Sequence, residues 1–292
     1  MKTFRYDTSG KWFKGNTHIH SVKSDGGKTV DELTAMYASR GYDFLFATDH
    51  WVASDHRERN ERDDRLLWLD GIELDGADQF GLPYHVVCLG RCEADRSKGF
   101  IGMMQSAREQ GCLLVLAHPL WCGNNVDDTT RWGFHGVEIY NHVCRWLNGK
   151  SDGLTYWSAM LAKNPDTLAF AADDAHIRKE HPGWDGGWIV VNAPRLGERE
   201  LLSAIKSGNY YSSTGPSINS LTLEGDTLAV TTSPVTFMRL VGPGSLGARL
   251  GSFDGVEMTK GVFTIPPDWP YAYLEIEDAE SRRAWTNTLL TS

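Results

Sequence analysis

The chain has 292 residues, of which 41% are hydrophobic, and a formal net charge of −9 at pH 7. That length is enough to bury a full core, and it allows one large domain with a small one beside it. The sequence has no basic block to contact duplex phosphates and no stretch of the roughly 20 apolar residues that span a bilayer, so we expect neither duplex nucleic acid nor a membrane as a partner. Because the N-terminal segment lacks the apolar run of a signal peptide, a cytoplasmic location is the default expectation.

The N-terminal segment GNTHIHSVKSDGG, residues 15–27, places two histidines one residue apart. Alternate side chains of an extended strand point to the same face, so His18 and His20 would converge while Ile19 faces the core. An isolated pair of this kind is more often a surface feature. Its meaning therefore depends on the rest of the chain.

Short apolar runs alternate with helix-like segments from residue 28 to about 208. The capping-box pattern Thr29-x-x-Glu32 starts the first predicted helix, which ends at Gly41. Such alternation is typical of an α/β domain with a mainly parallel sheet or barrel. The predicted helices cover 29–41, 100–111 and 153–164, and the predicted strands cover 43–47, 66–74, 85–90, 112–117, 136–140, 168–172 and 186–191.

The pattern changes after residue 215, where short runs of period two are separated by Gly, Pro and Asp without helical segments. This pattern predicts a small all-β, sandwich-like domain over residues 216–292, following a larger α/β domain over residues 1–215. The five cysteines are odd in number and lack C-x-x-C spacing, which favours free thiols over a disulfide framework.

Polar residues capable of binding metal follow or interrupt the apolar runs of the α/β domain. Active sites of parallel α/β proteins lie at the carboxyl ends of their strands, so these side chains are expected at one rim. Each fragment alone could be a turn or a solvated corner, but independent surface residues would not all occupy one topological place. The set comprises Asp49 and His50, Glu73, His85, His118, and Asp173, Asp174 and His176.

The types of ligand narrow the choice of metal ion. Imidazole and carboxylate without thiolate suit Zn, Fe or Mn and exclude a structural cysteine-rich zinc site. With His18 and His20, six histidines and at least three carboxylates would meet at this rim, and nine ligands exceed the needs of one ion. We therefore predict two or three divalent ions that share a bridging carboxylate and leave positions open for water and substrate.

The ordered motifs H-x-H, S-D-G, T-D-H, G-I-E, a histidine in a strand, A-H-P and D-x-H resemble those of the PHP (polymerase and histidinol phosphatase) metallohydrolases. The resemblance spans residue 14 to about 215. It implies a distorted (β/α)7 TIM-like barrel that binds up to three metals. The segments AIKSGNYYSSTGP and YAYLEIEDAESRRAWTNTLL are further similar to the carbaryl hydrolase-like branch of that superfamily.

The resemblance also implies roles for individual residues. Glu73, Asp174 and His176 would be catalytic as well as metal-binding. Asp49 and Asp173 would orient histidines or cap turns, and Glu138 would lie at the rim or behind the ligands rather than bind metal. By this resemblance His18, His20, Glu73 and Asp174 hold one metal, Glu73 bridges to a second held by His85 and His118, and Asp25, His50 and His176 hold the third.

Such a centre would be locally positive and would favour a small anionic substrate. The expected function is a metal-dependent phosphoesterase that hydrolyses a small phosphate ester or nucleotide through metal-bound hydroxide. Two alternatives stay open: a carboxylic ester or carbamate hydrolase on the same site, and a non-catalytic metal-binding module. The residues proposed to contact substrate are Arg145, Arg178, Lys179, His181, Trp51 and Trp121.

Overall fold

The structure is a computed structural model that describes residues 3–251 and 253–291. Residues 1, 2, 252 and 292, which the two predicted domains include, lie outside the described residues. The strands are β1 (Thr3–Phe4), β2 (Lys11–Asn16), β3 (Phe44–Ala47), β4 (Leu67–Ala77), β5 (Pro83–Leu89), β6 (Leu113–Leu116), β7 (Gly136–Asn141), β8 (Leu168–Ala172), β9 (Trp188–Ala193), β10 (Tyr210–Ser213), β11 (Ile218–Glu224), β12 (Thr227–Val235), β13 (Phe237–Val241), β14 (Gly247–Leu250), β15 (Met258–Thr264), β16 (Tyr273–Glu277), β17 (Arg283–Thr286) and β18 (Leu290–Thr291).

The first predicted helix is confirmed together with its cap. Thr29 accepts a hydrogen bond from the Glu32 N–H at 3.2 Å, and the Glu32 carboxylate accepts one from the Thr29 N–H at 2.8 Å. None of the described helices is both long and apolar enough to cross a membrane. The helices are α1 (Val30–Ala38), α2 (Arg57–Arg62), α3 (Gly99–Glu109), α4 (Pro119–Cys122), α5 (Val126–Thr129), α6 (His142–Asn148), α7 (Leu154–Lys163) and α8 (Glu198–Ser207), with a 3₁₀ turn at Arg96–Lys98.

The fold is α/β, built on one large mixed sheet whose strand order is β14-β13-β16-β17-β10-β9-β2-β3-β4-β5-β6-β7-β8. The runs β2-β3-β4 and β6-β7-β8 are parallel. Strand β5 is antiparallel to both neighbours, because the short loop 78–82 joins it to β4 as a hairpin. The expectation of a mainly parallel sheet is therefore corrected to a mixed one.

A closed barrel is not shown, because the hydrogen-bonded ladder does not close across the described residues. Two contacts nevertheless bring the β8 edge of the curved sheet back to the interior strands β2 and β10. A single parallel bridge joins Ile19, just after β2, to Ala175, just after β8. The Ser212 hydroxyl of β10 also accepts from the Ala171 N–H and donates to the Ala169 carbonyl, both at 2.9 Å. The β8 edge therefore lies beside β2 and β10, and the loops that follow β2 and β8 share one rim.

The described residues after α8 contain strands and no helix, as the period-two pattern predicts. Strands β11, β12 and β15 form a separate three-stranded sheet, whereas β13, β14, β16 and β17 extend the large sheet through β10. Two buried aromatic residues of this segment, Tyr271 and Trp285, pack in the core around α3 and α7. The boundary between residues 215 and 216 stays a prediction, and a continuous sheet crosses it.

Candidate metal centre

Most of the predicted ligands follow strands at one rim of the sheet. His18 and His20 follow β2, His50 follows β3, His118 follows β6 and Asp174 follows β8. The structure corrects two details: β4 continues to Ala77, so Glu73 lies within the strand, and His85 lies near the beginning of β5. Because β5 runs antiparallel to its neighbours, its amino end reaches the same rim as their carboxyl ends.

One group at the centre of the site is fully buried. It comprises His18, His20, Glu73 and Asp174, which offer ligand atoms within 4.8 Å of one another. His18 Nε2 and Glu73 Oε2 are 3.2 Å apart, yet both atoms are buried without a hydrogen bond. Because buried polar atoms are rarely left without a partner, these two fit a site that binds a cation.

Glu73 connects this group to a second one. Its Oε2 faces His18 and lies 3.1 Å from His20 Nε2. Its Oε1 lies 2.9 Å from His85 Nδ1 and 3.5 Å from His118 Nε2. The two carboxylate oxygens thus point toward different sets of imidazoles, which is the arrangement that a bridging carboxylate requires.

A third group forms around Asp25 at the more open side and includes His20, His50 and His176. Asp25 Oδ2 lies 3.1 Å from His176 Nε2, and Asp25 Oδ1 lies 3.6 Å from His20 Nδ1 and 4.0 Å from His50 Nε2. His20 therefore presents one ring nitrogen to this group and the other to Glu73. The structure brings all nine predicted ligands into contiguous groups, and their assignment to individual metals stays a prediction.

Glu138 holds two of these histidines in place. Its Oε1 lies 2.7 Å from His18 Nδ1, and its Oε2 accepts hydrogen bonds from the His118 backbone N–H and from Asn141 Nδ2, each at 2.9 Å. Glu138 also has an oxygen near enough to His18 and His118 to form a ligand group with them. Its contacts orient the His18 ring and fix the backbone that carries His118.

Asp49 and Asp173 anchor loops rather than imidazoles. Asp49 accepts from the Ser21 N–H at 2.8 Å and from the Ser24 hydroxyl at 2.7 Å. Asp173 accepts from the Tyr37 hydroxyl and from the backbone N–H groups of residues 185–187. These bonds position the loops that carry the predicted ligands.

The electrostatics of the site favour a bound cation. Burial alone would lower the pKa of His20, but its contacts with the Asp174 and Glu73 carboxylates raise that pKa to about 9. Burial would likewise raise the pKa of Glu73, yet His18 and the neighbouring imidazoles hold it well below its usual range. The carboxylates are therefore ionised, and protons on the histidines balance them unless a metal displaces those protons.

Two predicted ligands have left-handed backbone conformations that are uncommon outside glycine. The φ angle is 27° at His118 and 55° at Asp174. Such conformations cost free energy and cluster at functional sites, where the surrounding structure enforces them. Both residues come directly after strands, and the sharp turn directs their side chains into the buried groups.

The six predicted substrate contacts divide into two sets. A cavity of about 210 Å³ is lined by seven of the nine predicted ligands together with Arg178, His181 and Trp121. Arg145, Lys179 and Trp51 are not among its lining residues. The Trp51 indole N–H instead donates to the Asp75 carbonyl at 3.0 Å.

Sequence reasoning missed several residues of the site. Asp75 Oδ1 lies 3.0 Å from His50 Nδ1 and can orient that ring. The signal was present, since Glu73 and Asp75 alternate along one strand and so share a face. The Cys122 thiol lies 3.5 Å from His118 Nδ1. Val143 and Leu147 of α6 line the cavity, and no motif marks them.

Comparisons with known proteins address the fold. No family model matches the chain, and no curated protein matches it significantly in sequence. Among solved structures, it resembles a two-domain protein from Bacteroides vulgatus that contains a predicted PHP-like metal-dependent phosphoesterase, at 17% identity over 97% of both chains with a TM-score of 0.51.

Two other solved structures are less similar. One is a candidate metal-dependent phosphoesterase from Bifidobacterium adolescentis, at 13% identity over 58% of this chain and 90% of that one, with a TM-score of 0.44. The other is an amidohydrolase from Chromobacterium violaceum with bound sulfate and no metal, at 17% identity over 65% and 96%, with a TM-score of 0.42. The full-length match to the first protein shows that the two chains share a fold, which is consistent with the PHP resemblance of the ordered motifs.

Proposed function

We propose that this protein is a metal-dependent hydrolase, and specifically a phosphoesterase that acts on a small phosphate ester. The observation that carries the proposal is the position of Glu73, whose two carboxylate oxygens face separate sets of imidazoles. A bridging carboxylate of this kind sets the spacing of paired metals in enzymes that hydrolyse phosphate esters. The PHP-like fold of the chain is consistent with the same chemistry.

The residues present fit divalent metals. His18 Nε2 and Glu73 Oε2 are buried without hydrogen bonds, and the donor set is imidazole and carboxylate throughout. We propose that the nine predicted ligands hold two or three ions of Zn, Mn or Fe, for which these donors are suited. When bound, the ions would activate water and offset negative charge on phosphoryl oxygens.

The chain itself supplies binding and orientation. Arg178 places its guanidinium 3.8 Å from the Asp25 carboxylate at the open side of the site, where it can pair with a phosphoryl oxygen. Glu138 and Asp75 orient the His18 and His50 rings through their Nδ1 atoms. In the reaction, water adds to phosphorus while the bond from phosphorus to the ester oxygen breaks, and the alcohol leaves with a proton.

The proposal extends to the closure of the fold. The single bridge between Ile19 and Ala175 suggests a distorted (β/α)7 barrel in which this contact completes the ring. Placement in the carbaryl hydrolase-like branch stays a prediction that rests on the linker and tail segments alone.

The test is a metal analysis joined to a substrate screen. Protein purified anaerobically should contain two to three equivalents of transition metal by mass spectrometry, and it should hydrolyse phosphate esters with inhibition by inorganic phosphate. The screen should include phosphomonoesters, phosphodiesters, nucleotides, aryl carboxylic esters and carbamates. Cleavage of carboxylic esters or carbamates alone, without phosphate inhibition, would overturn the phosphoesterase assignment, and metal loading without any hydrolysis would indicate a binding module.

A further inference from the structure

The cavity beside the metal ligands has two chemically different walls. One wall carries the polar groups of Arg178 and His181. The other carries the apolar side chains of Val143 and Leu147, with Trp121 also lining the cavity. A substrate held over the metal ligands would therefore meet both the Arg178 guanidinium and apolar surface in the same cavity.

The polar wall is a tight turn. Arg178 and His181 exchange backbone hydrogen bonds in both directions at 3.1 Å, so their side chains lie on the same side of the turn. Arg178 Nε and His181 Nδ1 are buried and make no hydrogen bond. The Arg178 side chain as a whole is 36% exposed and lines the cavity, so the rest of its guanidinium can donate to a phosphoryl oxygen.

The apolar wall is fixed by the same residues that build the metal site. Asn141 caps the amino end of helix α6: its side chain accepts from the Cys144 N–H at 2.9 Å and donates to Glu138. The Val143 N–H donates to the Asp173 carbonyl at 3.0 Å, which ties the helix to the end of β8. Val143 and Leu147 are one turn apart and so share a face of α6. The position of this face is thus coupled to the ligand groups.

Trp121 adds a second apolar surface to the cavity. Its ring meets those of His85 and His118 edge to face, with centroids 5.7 Å and 5.3 Å apart. About 38% of the residue is exposed, so part of its indole is free to contact a ligand. Aromatic surface of this kind favours a planar apolar group.

We propose that the pocket selects phosphate monoesters whose alcohol is small and apolar, such as an aryl or arylmethyl group, over esters of polar polyols. This inference rests on the proposed phosphoesterase function and specifies its substrate class. The phosphoryl group lies between the metal ligands and Arg178, and the alcohol lies against Leu147 and Trp121. The cavity volume of about 210 Å³ is below the roughly 300–1,000 Å³ of pockets for drug-sized ligands, which favours a single ring.

The test compares benzyl phosphate with glycerol 3-phosphate on the metal-loaded wild-type protein. Both are esters of unactivated primary alcohols, so a difference in kcat/KM reports mainly on binding of the alcohol. We expect benzyl phosphate to be favoured by about tenfold or more, which is the discrimination that an apolar pocket supplies. Isothermal titration calorimetry should show that benzylphosphonate binds more tightly than methylphosphonate, a readout that does not depend on turnover.

Two variants test whether the preference for an apolar alcohol comes from Leu147. Leu147→Asn should lower kcat/KM for benzyl phosphate about tenfold and leave glycerol 3-phosphate nearly unchanged, whereas Leu196→Asn, at an exposed loop position outside the cavity, should change neither. Equal rates for the two esters with wild type would overturn this inference and leave the phosphoesterase proposal standing. Hydrolysis of neither ester, nor of any other phosphate ester, would overturn both. The comparison of the two esters on the wild-type protein tests the proposal even if the Leu147→Asn variant does not fold.

Discussion

Glu138 Oε1 lies 2.7 Å from His18 Nδ1, and both side chains are buried. This contact fixes the plane of the His18 ring and leaves its Nε2 directed at the ligand group that contains Glu73. The other Glu138 oxygen accepts two hydrogen bonds, from the His118 N–H and from Asn141. One carboxylate therefore sets the geometry of two predicted ligands.

Glu138→Gln should weaken metal binding by about 10- to 100-fold. The amide oxygen of glutamine can still accept from the His18 ring. Its NH₂ group would then face two other donors, the His118 N–H and Asn141 Nδ2, which Glu138 Oε2 now accepts from. Competition with a chelator of known affinity measures the effect. Glu257→Gln, at an exposed position, is the matched control. An unchanged metal Kd in Glu138→Gln would contradict the orienting role.

Glu73→Gln should reduce phosphate ester hydrolysis by about a hundredfold or more, since it removes a negative charge shared by two ligand groups. Bound metal should fall in the same preparation, as mass spectrometry would show. Glu109→Gln makes the same chemical change at an exposed position of α3 and should behave as wild type. Retention of full activity and full metal content by Glu73→Gln would rule out a bridging role.

His56 should make the protein less stable as the pH falls. Burial, reinforced by the charge of Lys23, lowers the pKa of His56 from 6.5 to about 4, and its ring stacks on Trp68 with centroids 5.2 Å apart. Because the folded-state pKa is lower than the unfolded one, protonation favours unfolding. Neutral His56 therefore contributes to the free energy of unfolding above pH 6.5. This contribution is lost as the pH falls from 6.5 to about 4, by up to about 3 kcal/mol.

Urea unfolding of wild type and His56→Phe at a series of pH values measures the contribution of His56 to the free energy of unfolding. Phenylalanine keeps the stacking on Trp68 and removes the titrating group. The difference in unfolding free energy between the two proteins should change over that pH range. A difference that is constant with pH would show that His56 does not titrate as described.

Tyr273→Ala should destabilise the whole chain rather than its C-terminal part alone. Tyr273 of β16 packs against Trp157 of α7, with ring centroids 4.5 Å apart, so the contact joins the predicted domains. Loss of a large aromatic side chain from such a contact costs about 3 kcal/mol. Calorimetry should show one transition at lower Tm, and Val262→Ala, at a 60% exposed position of β15, should leave Tm nearly unchanged. Two separate transitions, with only one shifted, would contradict the coupling.

The local signals in the sequence anticipated much of this architecture. The capping box at Thr29 and Glu32 placed α1, because its two hydrogen bonds depend only on residues three apart. The alternation after residue 215 anticipated a segment of strands without helices. Histidines that follow apolar runs, such as His118, were brought to one rim because strand ends in this fold share that rim.

Other features depend on tertiary contacts that no local pattern encodes. The reversed direction of β5 follows from the hairpin at 78–82, and only that reversal explains how His85 reaches the rim from the beginning of a strand. The extension of the large sheet through β10 and β17 requires pairing between distant segments. Leu147 faces the cavity because of how α6 is anchored, and an isolated leucine carries no sign of that position.

The position of β2 in the sheet has a consequence for how the protein folds. This strand lies between β3 and β9, and its antiparallel ladder pairs Trp12 with Asn192 and Phe13 with Val191. Contacts between segments so far apart in the chain are slow to form, because the intervening loop must close first. During synthesis β2, which precedes the H-x-H segment, therefore cannot complete its pairing until β9 has emerged from the ribosome. We expect the two histidines at its end to become fixed among the last elements of the fold, so that the candidate metal centre forms only after most of the chain has been made.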